Sequence, residues 1–294
     1  MKKQKITPFL WFNDDAEGAI NHYVNVFDNS KINHLSRAPD GKVFTGSFQL
    51  NGHNFAAMNG GPLYKINPAT SFFVVCETAS EVDTIWTKLM EGGKVMMALD
   101  AYPWSAKYGW GQDRFGLSWQ VMLGNKGDKN EQFFPCLMFA GDLLKRADEA
   151  VDFYVSTFEN AKIDTISRYT EGEPAPLNAV KHARFEIENQ TFSIMGSPMP
   201  HNFNFNEAIS FVVNCTTQKE VDYYWNALIS DGGAEGRCGW LKDKFGISWQ
   251  IIPKALMELM GDKDPVKSQN VMQAMLKMNK IIIVDLEKAH QKTN

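Results

Sequence analysis

An octapeptide is written twice along the chain, as DRFGLSWQ at 113–120 and as DKFGISWQ at 243–250. It belongs to a series of echoes. TPFLWF (7–12) is answered by FPCLMF (134–139), HYVNVFDNSKINHLSR (22–37) by FYVSTFENAKIDTISR (153–168), NPATSFFVVC (67–76) by NEAISFVVNC (206–215), and EVDTIW (81–86) by EVDYYW (220–225). The order never changes, so a whole domain is duplicated, and units this long are no solenoid module. At 294 residues the chain is also at the length where a single core stops growing. Each copy is expected to own a core. The glycine-rich, polar stretch GNKGDKNEQ (124–132) has the composition of a linker. The expected boundaries are a first domain over 1–125, a linker over 126–131, a second domain over 132–255 and a helical tail over 256–294.

Within a copy, period and punctuation give the elements. Residues 6–12 are an apolar, aromatic run that suits a strand. Asp14 with Glu17 reads as a capping box, and Ala16, Ala19, Ile20, Tyr23 and Phe27 recur at helical spacing. KINHLSR and KVFTGSFQL read as strands, and Asn51-Gly52 is a two-residue hairpin turn, since both residues tolerate positive φ. TSFFVVC is a buried strand. Thr78 and Glu81 start a second helix with Val82, Ile85, Trp86 and Leu89 on its apolar face, stopped by Gly92-Gly93. Each copy is therefore βαβββ written twice, an α+β pattern. Beyond Pro253, Met260, Val271, Met272, Met275 and Met278 fall at near-helical intervals, as in a tail packed on a domain surface.

A net charge of −4, with acids and bases interspersed, draws nothing toward nucleic acid or an anionic membrane. No stretch approaches the roughly 20 apolar residues of a membrane helix, and the amino-terminal apolar run is too short for a secretory signal. Cys76, Cys136, Cys215 and Cys238 lie far apart, without zinc or redox spacing, which fits a reduced cytoplasmic protein. His22, His53, His182, His201 and His290 have no partner at metal-ligand spacing.

Paired βαβββ units, with ITPFLWF…AEGAINHYVNVF, NGGPLYKINPATSF and FNEAISFVVNC…EVDYYWNALISDGG…GRCGWLKDKFGISWQIIP, resemble the PhnB-like group of the glyoxalase/bleomycin-resistance, or vicinal oxygen chelate, superfamily. That group is labelled 3-demethylubiquinone-9 3-methyltransferase. The resemblance implies two tandem domains, each a pair of βαβββ units curled into a cup-shaped mixed sheet that holds a ligand around a divalent metal, followed here by the helical tail. It places the metal-gripping positions on the first, fifth and last strands of a cup, which fall here on Pro8 and Pro135, on Ser71 and Ser210, and on Gln120 and Gln250. Proline offers no side-chain ligand, and serine and glutamine are weak, neutral donors. No metal and no cofactor are therefore expected, and no glycine-rich strand-to-helix turn supports a doubly wound S-adenosylmethionine site.

Strand alternation counted from Gln250 and Gln120 sorts the residues facing the cup. The pocket candidates are Gln250, Ser210, Ser248, Leu137, Phe139, Asn214, Trp240 and Cys238, with Gln120, Ser71 and Phe12 from the other copy. Such a wall is mostly apolar with a few neutral hydrogen-bonding groups, as in sites for small aromatic molecules. Gln250 and Ser210 either orient a ligand or satisfy one another, because a buried amide left unpaired costs about 1–3 kcal/mol. Three function classes stay open: a small-molecule binder, an enzyme of unidentified chemistry such as the nominal methyltransferase, and a structural module whose cup is filled by its own side chains. KVMMALDAYPWSAKYGW (94–110) is about ten residues longer than AEGRCGW (234–240). Its Pro103 and Trp104 are placed to lid or fill that cup, so a ligand is expected first in copy two. Exposed strand edges also leave a homodimer open.

Overall fold

The computed structural model describes residues 4–124 and 132–292, and the expected linker at 126–131 lies outside them. The first copy runs β1 (Ile6–Phe12), α1 (Ala16–Val26), β2 (Lys31–Arg37), β3 (Val43–Leu50), β4 (His53–Asn59), β5 (Thr70–Cys76), α2 (Ala79–Met90), β6 (Lys94–Tyr102), β7 (Ser105–Gln112) and β8 (Ser118–Leu123). The second runs β9 (Phe133–Ala140), α3 (Ala147–Thr157), β10 (Lys162–Arg168), β11 (Val180–Ile187), β12 (Gln190–Ser197), β13 (Ile209–Cys215), α4 (Gln218–Leu228), β14 (Ala234–Glu235), β15 (Trp240–Lys242) and β16 (Ser248–Pro253). Both copies are thus βαβββ twice.

The strands form two eight-stranded mixed sheets, ordered β14-β15-β16-β13-β1-β4-β3-β2 and β10-β11-β12-β9-β5-β8-β7-β6. Each sheet therefore joins one half of copy one to the opposite half of copy two. This differs from the expectation that a copy pairs its own halves. The reason lies in the repeat itself: the joining strands of the two copies are near-equivalent, so a first strand can meet the fifth strand of either copy with similar side chains. By contacts the chain divides into one unit of Met1–Phe9 with Ser210–Asn294 and another of Leu10–Ile209, the division falling inside β1.

In the larger unit α1 and α2 bury Ile20, Tyr23, Val82, Ile85 and Leu89 with Leu10, Phe12, Phe72, Val74 and Trp119 in a single core. The Tyr23 and Trp119 rings meet edge to face at 5.4 Å. The capping box at Thr78 forms, its hydroxyl accepting from Glu81 N at 3.1 Å while Glu81 accepts from Glu77 N at 3.0 Å. The one expected at Asp14 does not: Ala16 N donates to Asn59 Oδ1 at 2.8 Å, and Asp14 pairs with Lys42 instead. A side chain from β4 has taken over the capping role from the residues just before the helix.

In the smaller unit α4 packs on β16, and the buried Trp249 and Phe211 rings lie 5.4 Å apart. The tail is helical, as α5 (Lys254–Met260), α6 (Pro265–Met275) and α7 (Ile283–His290). These helices close over Leu256, Val271, Ile281 and Leu286. Between α6 and α7 the chain lies along the backbone just before β15: Cys238 N donates to Met278 O at 2.8 Å and Gly239 N to Asn279 O at 2.7 Å. In copy one the nine-residue β6 covers the matching edge of β7. β14 has only two residues, so the tail supplies the pairing that the shortened hairpin lacks.

Candidate functional site

The repeated octapeptide is first of all a turn. Asp113 Oδ1 accepts from Phe115 N (2.8 Å) and Leu117 N (3.0 Å), and its Oδ2 accepts from Trp119 Nε1 (2.7 Å). Asp243 repeats the set with Phe245 N (2.9 Å), Ile247 N (3.1 Å) and Trp249 Nε1 (2.9 Å). Gly116 and Gly246, both at φ +88°, supply the left-handed residue that the turn requires. Burial pushes the Asp113 carboxyl up from its ordinary range, and the bonds donated by Trp119 and the two backbone amides act against that. The turn sends Trp119 and Trp249 toward the helices. Alternation then sends Gln120 and Gln250 to the opposite face, called here the inner face.

On the inner face of the second sheet, Gln120 Nε2 donates to Ser71 Oγ at 2.8 Å, Tyr108 OH donates to Gln120 Oε1 at 2.6 Å, and Trp110 Nε1 donates to Ser118 Oγ at 2.8 Å. Phe73 stacks on Phe134 at 4.9 Å. Trp104 stacks on Tyr102 at 5.1 Å and meets the edge of Tyr108 at 5.5 Å, so the longer hairpin does fill this face. Phe73, Val75, Tyr108, Phe134 and Cys136 are all buried in one cluster. Burial pushes the Cys136 thiol up to about 11, against hydrogen bonding from Ser193, Gln120 and Ser71.

The smaller unit repeats the floor and not the cover. Gln250 Nε2 donates to Ser210 Oγ at 3.0 Å. The residue matching Tyr108 is Cys238, which has no hydroxyl to offer and sits at φ +58° ahead of β15. The residue matching Cys136 is Phe9, whose ring meets Trp240 edge to face at 5.9 Å. Ser248 Oγ is buried with no hydrogen-bond partner, although Ser118 at the same place receives the indole N–H. Asn214 is held at the end of the face by Lys5 O and Thr7 Oγ1, both at 3.1 Å.

These registers correct part of the sequence reading. Partners in a ladder share a face, and β9 sets Cys136 against Ser71 and Phe134 against Phe73, but Leu137 against Thr70 and Pro135 against Phe72. Leu137 and Pro135 thus point away from the inner face, and Phe139 with them by alternation, its ring meeting Phe205. Phe12 and Leu10 belong to the core under α1. The first strand is apolar on both sides, so alternation gives it no parity, and the structure places its inner face one residue from the expected position. The inner-face residues are Phe9 and Cys136. Ser71, Gln120, Ser210, Asn214, Trp240, Ser248 and Gln250 lie on the inner faces, and Cys238 lies beside one of them. Sequence reasoning missed Tyr108 and Lys242. Alternation from Trp110 and Trp240 would have found both, because Lys242 pairs with Ser248 as Trp240 pairs with Gln250.

The same contacts test the metal that the superfamily implies. The three positions present Phe9, Ser210 and Gln250, or Cys136, Ser71 and Gln120, and each serine and glutamine already bond one another. Cys136 keeps its proton at neutral pH, and among the described residues no three His, Cys, Asp or Glu side chains come together. This donor set does not fit a divalent ion. S-adenosylmethionine fares no better: β5 and β13 run into α2 and α4 through threonine-capped turns, at Thr78 and Thr217, with no glycine-rich loop.

The architecture is that of the glyoxalase fold. Over 84% of this chain and 93% of the other, glyoxalase I from Zea mays superposes with a TM-score of 0.55 at 13% identity. A putative dioxygenase from Bacillus subtilis matches over 97% and 94% with a TM-score of 0.50 at 9% identity. Within that class the chain belongs to the family described as 3-demethylubiquinone-9 3-methyltransferase, the PhnB-like group, whose model matches twice, at residues 4–122 and 131–252. A putative 3-demethylubiquinone-9 3-methyltransferase, PhnB protein, from Bacillus cereus is 40% identical over 41% of this chain and 100% of its own, with a TM-score of 0.40. Among curated proteins no relative matches.

Proposed function

We propose that the chain binds a small aromatic molecule, without a metal, on the inner face of the smaller unit. The observation that carries this is the buried Ser248 hydroxyl with no partner, beside a Gln250 that lacks the tyrosine its counterpart has. An unpaired buried hydroxyl costs about 1–3 kcal/mol, a penalty that a ligand oxygen would remove. Trp240 and Phe9 supply an aromatic wall, and Val212 and Asn214 are half-exposed where Phe73 and Val75 are buried.

A second reading holds for the second sheet. Its inner face is core, and the closure of Gln120 by Tyr108 favours this. The methyltransferase of the family's description gains no support from the residues. Free cysteines at all four positions agree with a reducing compartment such as the cytoplasm. Among the described residues no helix is long and apolar enough to cross a membrane.

Native mass spectrometry of the full chain tests the proposal. The expected result is an organic adduct without stoichiometric metal, lost or reduced in Ser248→Ala. A chain that carries no adduct, and whose melting temperature no aromatic compound raises, would count against it.

A further inference from the structure

In the second sheet both ends of the Gln120 amide are used: Nε2 donates to Ser71 Oγ at 2.8 Å, and Oε1 accepts from Tyr108 OH at 2.6 Å. Tyr108 is buried, and burial raises its pKa, so the phenol stays neutral and donates. The ladders fix the corresponding places in the smaller unit. Trp110 pairs with Gln120 as Trp240 pairs with Gln250, which puts Cys238 of CGW at the place of Tyr108 of YGW. On the other flank Gln250 pairs with Val212 where Gln120 pairs with Phe73. A thiol and an isopropyl group thus stand where a phenol and a phenyl ring stand beside Gln120. Gln250 Nε2 is spent on Ser210 Oγ at 3.0 Å, and among the described residues no donor bonds its Oε1. Unlike Ser248 Oγ, this oxygen is not sealed from solvent.

We infer that the ligand of the smaller unit is a neutral phenol whose hydroxyl donates to Gln250 Oε1, as the Tyr108 hydroxyl donates to Gln120 Oε1 in the second sheet. This rests on the small-molecule reading given above and adds to it the group by which the ligand is recognised. A glutamine carbonyl oxygen only accepts. An aryl ether has no hydrogen to give it, and a carboxylate or phenolate would set an anionic oxygen against it. Ser248 remains available to a second polar atom of the same molecule.

The test is isothermal titration of the full chain with 2-naphthol and 4-phenylphenol against 2-methoxynaphthalene and 4-methoxybiphenyl, which keep the rings and lose the hydroxyl hydrogen. The phenols are expected to bind about tenfold more tightly than the matched ethers, the difference made by one hydrogen bond to an acceptor otherwise left unpaired. Gln250→Met, with its fold checked by circular dichroism, should abolish that preference. Tyr108→Phe should keep it, because the second sheet's face stays filled by its own rings. If the ethers bind as tightly as the phenols, if folded Gln250→Met retains the preference, or if Tyr108→Phe removes it, the inference is wrong and the small-molecule reading stands. Should Gln250→Met not fold, the wild-type comparison of phenol with ether still decides. If none of the four compounds binds, both fall.

Discussion

Gln120 and Gln250 end the same octapeptide, and each gives an amide hydrogen to a serine on the neighbouring parallel strand. From that shared floor the two faces diverge. Over Gln120 a ten-residue-longer hairpin brings Tyr102, Trp104 and Tyr108 into a packed aromatic cluster that completes the amide's hydrogen bonding. Over Gln250 the hairpin is nearly absent, and a cysteine stands where the tyrosine would be. The buried serine two residues earlier is paired in one and unpaired in the other. Duplication kept the turn that fixes the strand and released the residues above it, so that one face is covered by its own aromatic side chains and the other is left half-exposed at Val212 and Asn214.

The common part should respond alike in both copies and most strongly. Asp113→Ala and Asp243→Ala each leave two backbone amides and an indole N–H buried without an acceptor. Each is expected to cost about 3 kcal/mol or more in urea unfolding. A large cost for only one of them would break the equivalence of the two turns. The divergent part should respond unequally: Tyr108→Phe is expected to cost about 1–2 kcal/mol by stranding Gln120 Oε1, and Cys238→Ala no more than about 0.5 kcal/mol. Equal effects would mean that the hydroxyl does not close the second sheet's face.

The thiols sharpen the contrast at smaller scale. Cys136 is buried and holds its proton to about 11, against 9.0 for an ordinary thiol. The raised folded value means that its contribution to stability is complete below pH 9 and declines as the pH climbs from there toward 11. Burial also raises the Cys238 thiol, with Arg237 acting against it, but the side chain is half-exposed. Iodoacetamide at pH 8 is expected to label Cys238 first and Cys136 only on unfolding, as read by peptide mass spectrometry.

Much of this was legible in the sequence. The echoes gave the duplication, the periodicity gave βαβββ twice per copy, and the two glutamines and their serines were placed on the inner faces by simple alternation. The exchange of halves was not legible, because strands as alike as TPFLWF and FPCLMF do not say which fifth strand they will meet. Nor was the parity of β1 and β9, whose side chains are apolar on both sides. Alternation needs a polar face to anchor it. The Asp14 cap failed for a related reason: Asn59 comes from a strand more than forty positions away, and local pattern does not record a distant competitor.

The strip of chain at 276–279 makes the tail part of the sheet's border rather than an appendage. A fragment ending at residue 252, where the family match stops, would leave the amides of Cys238 and Gly239 facing water along a bare rim. Bare rims of that kind recruit one another, and here residues 276–279 occupy the rim from within the same chain.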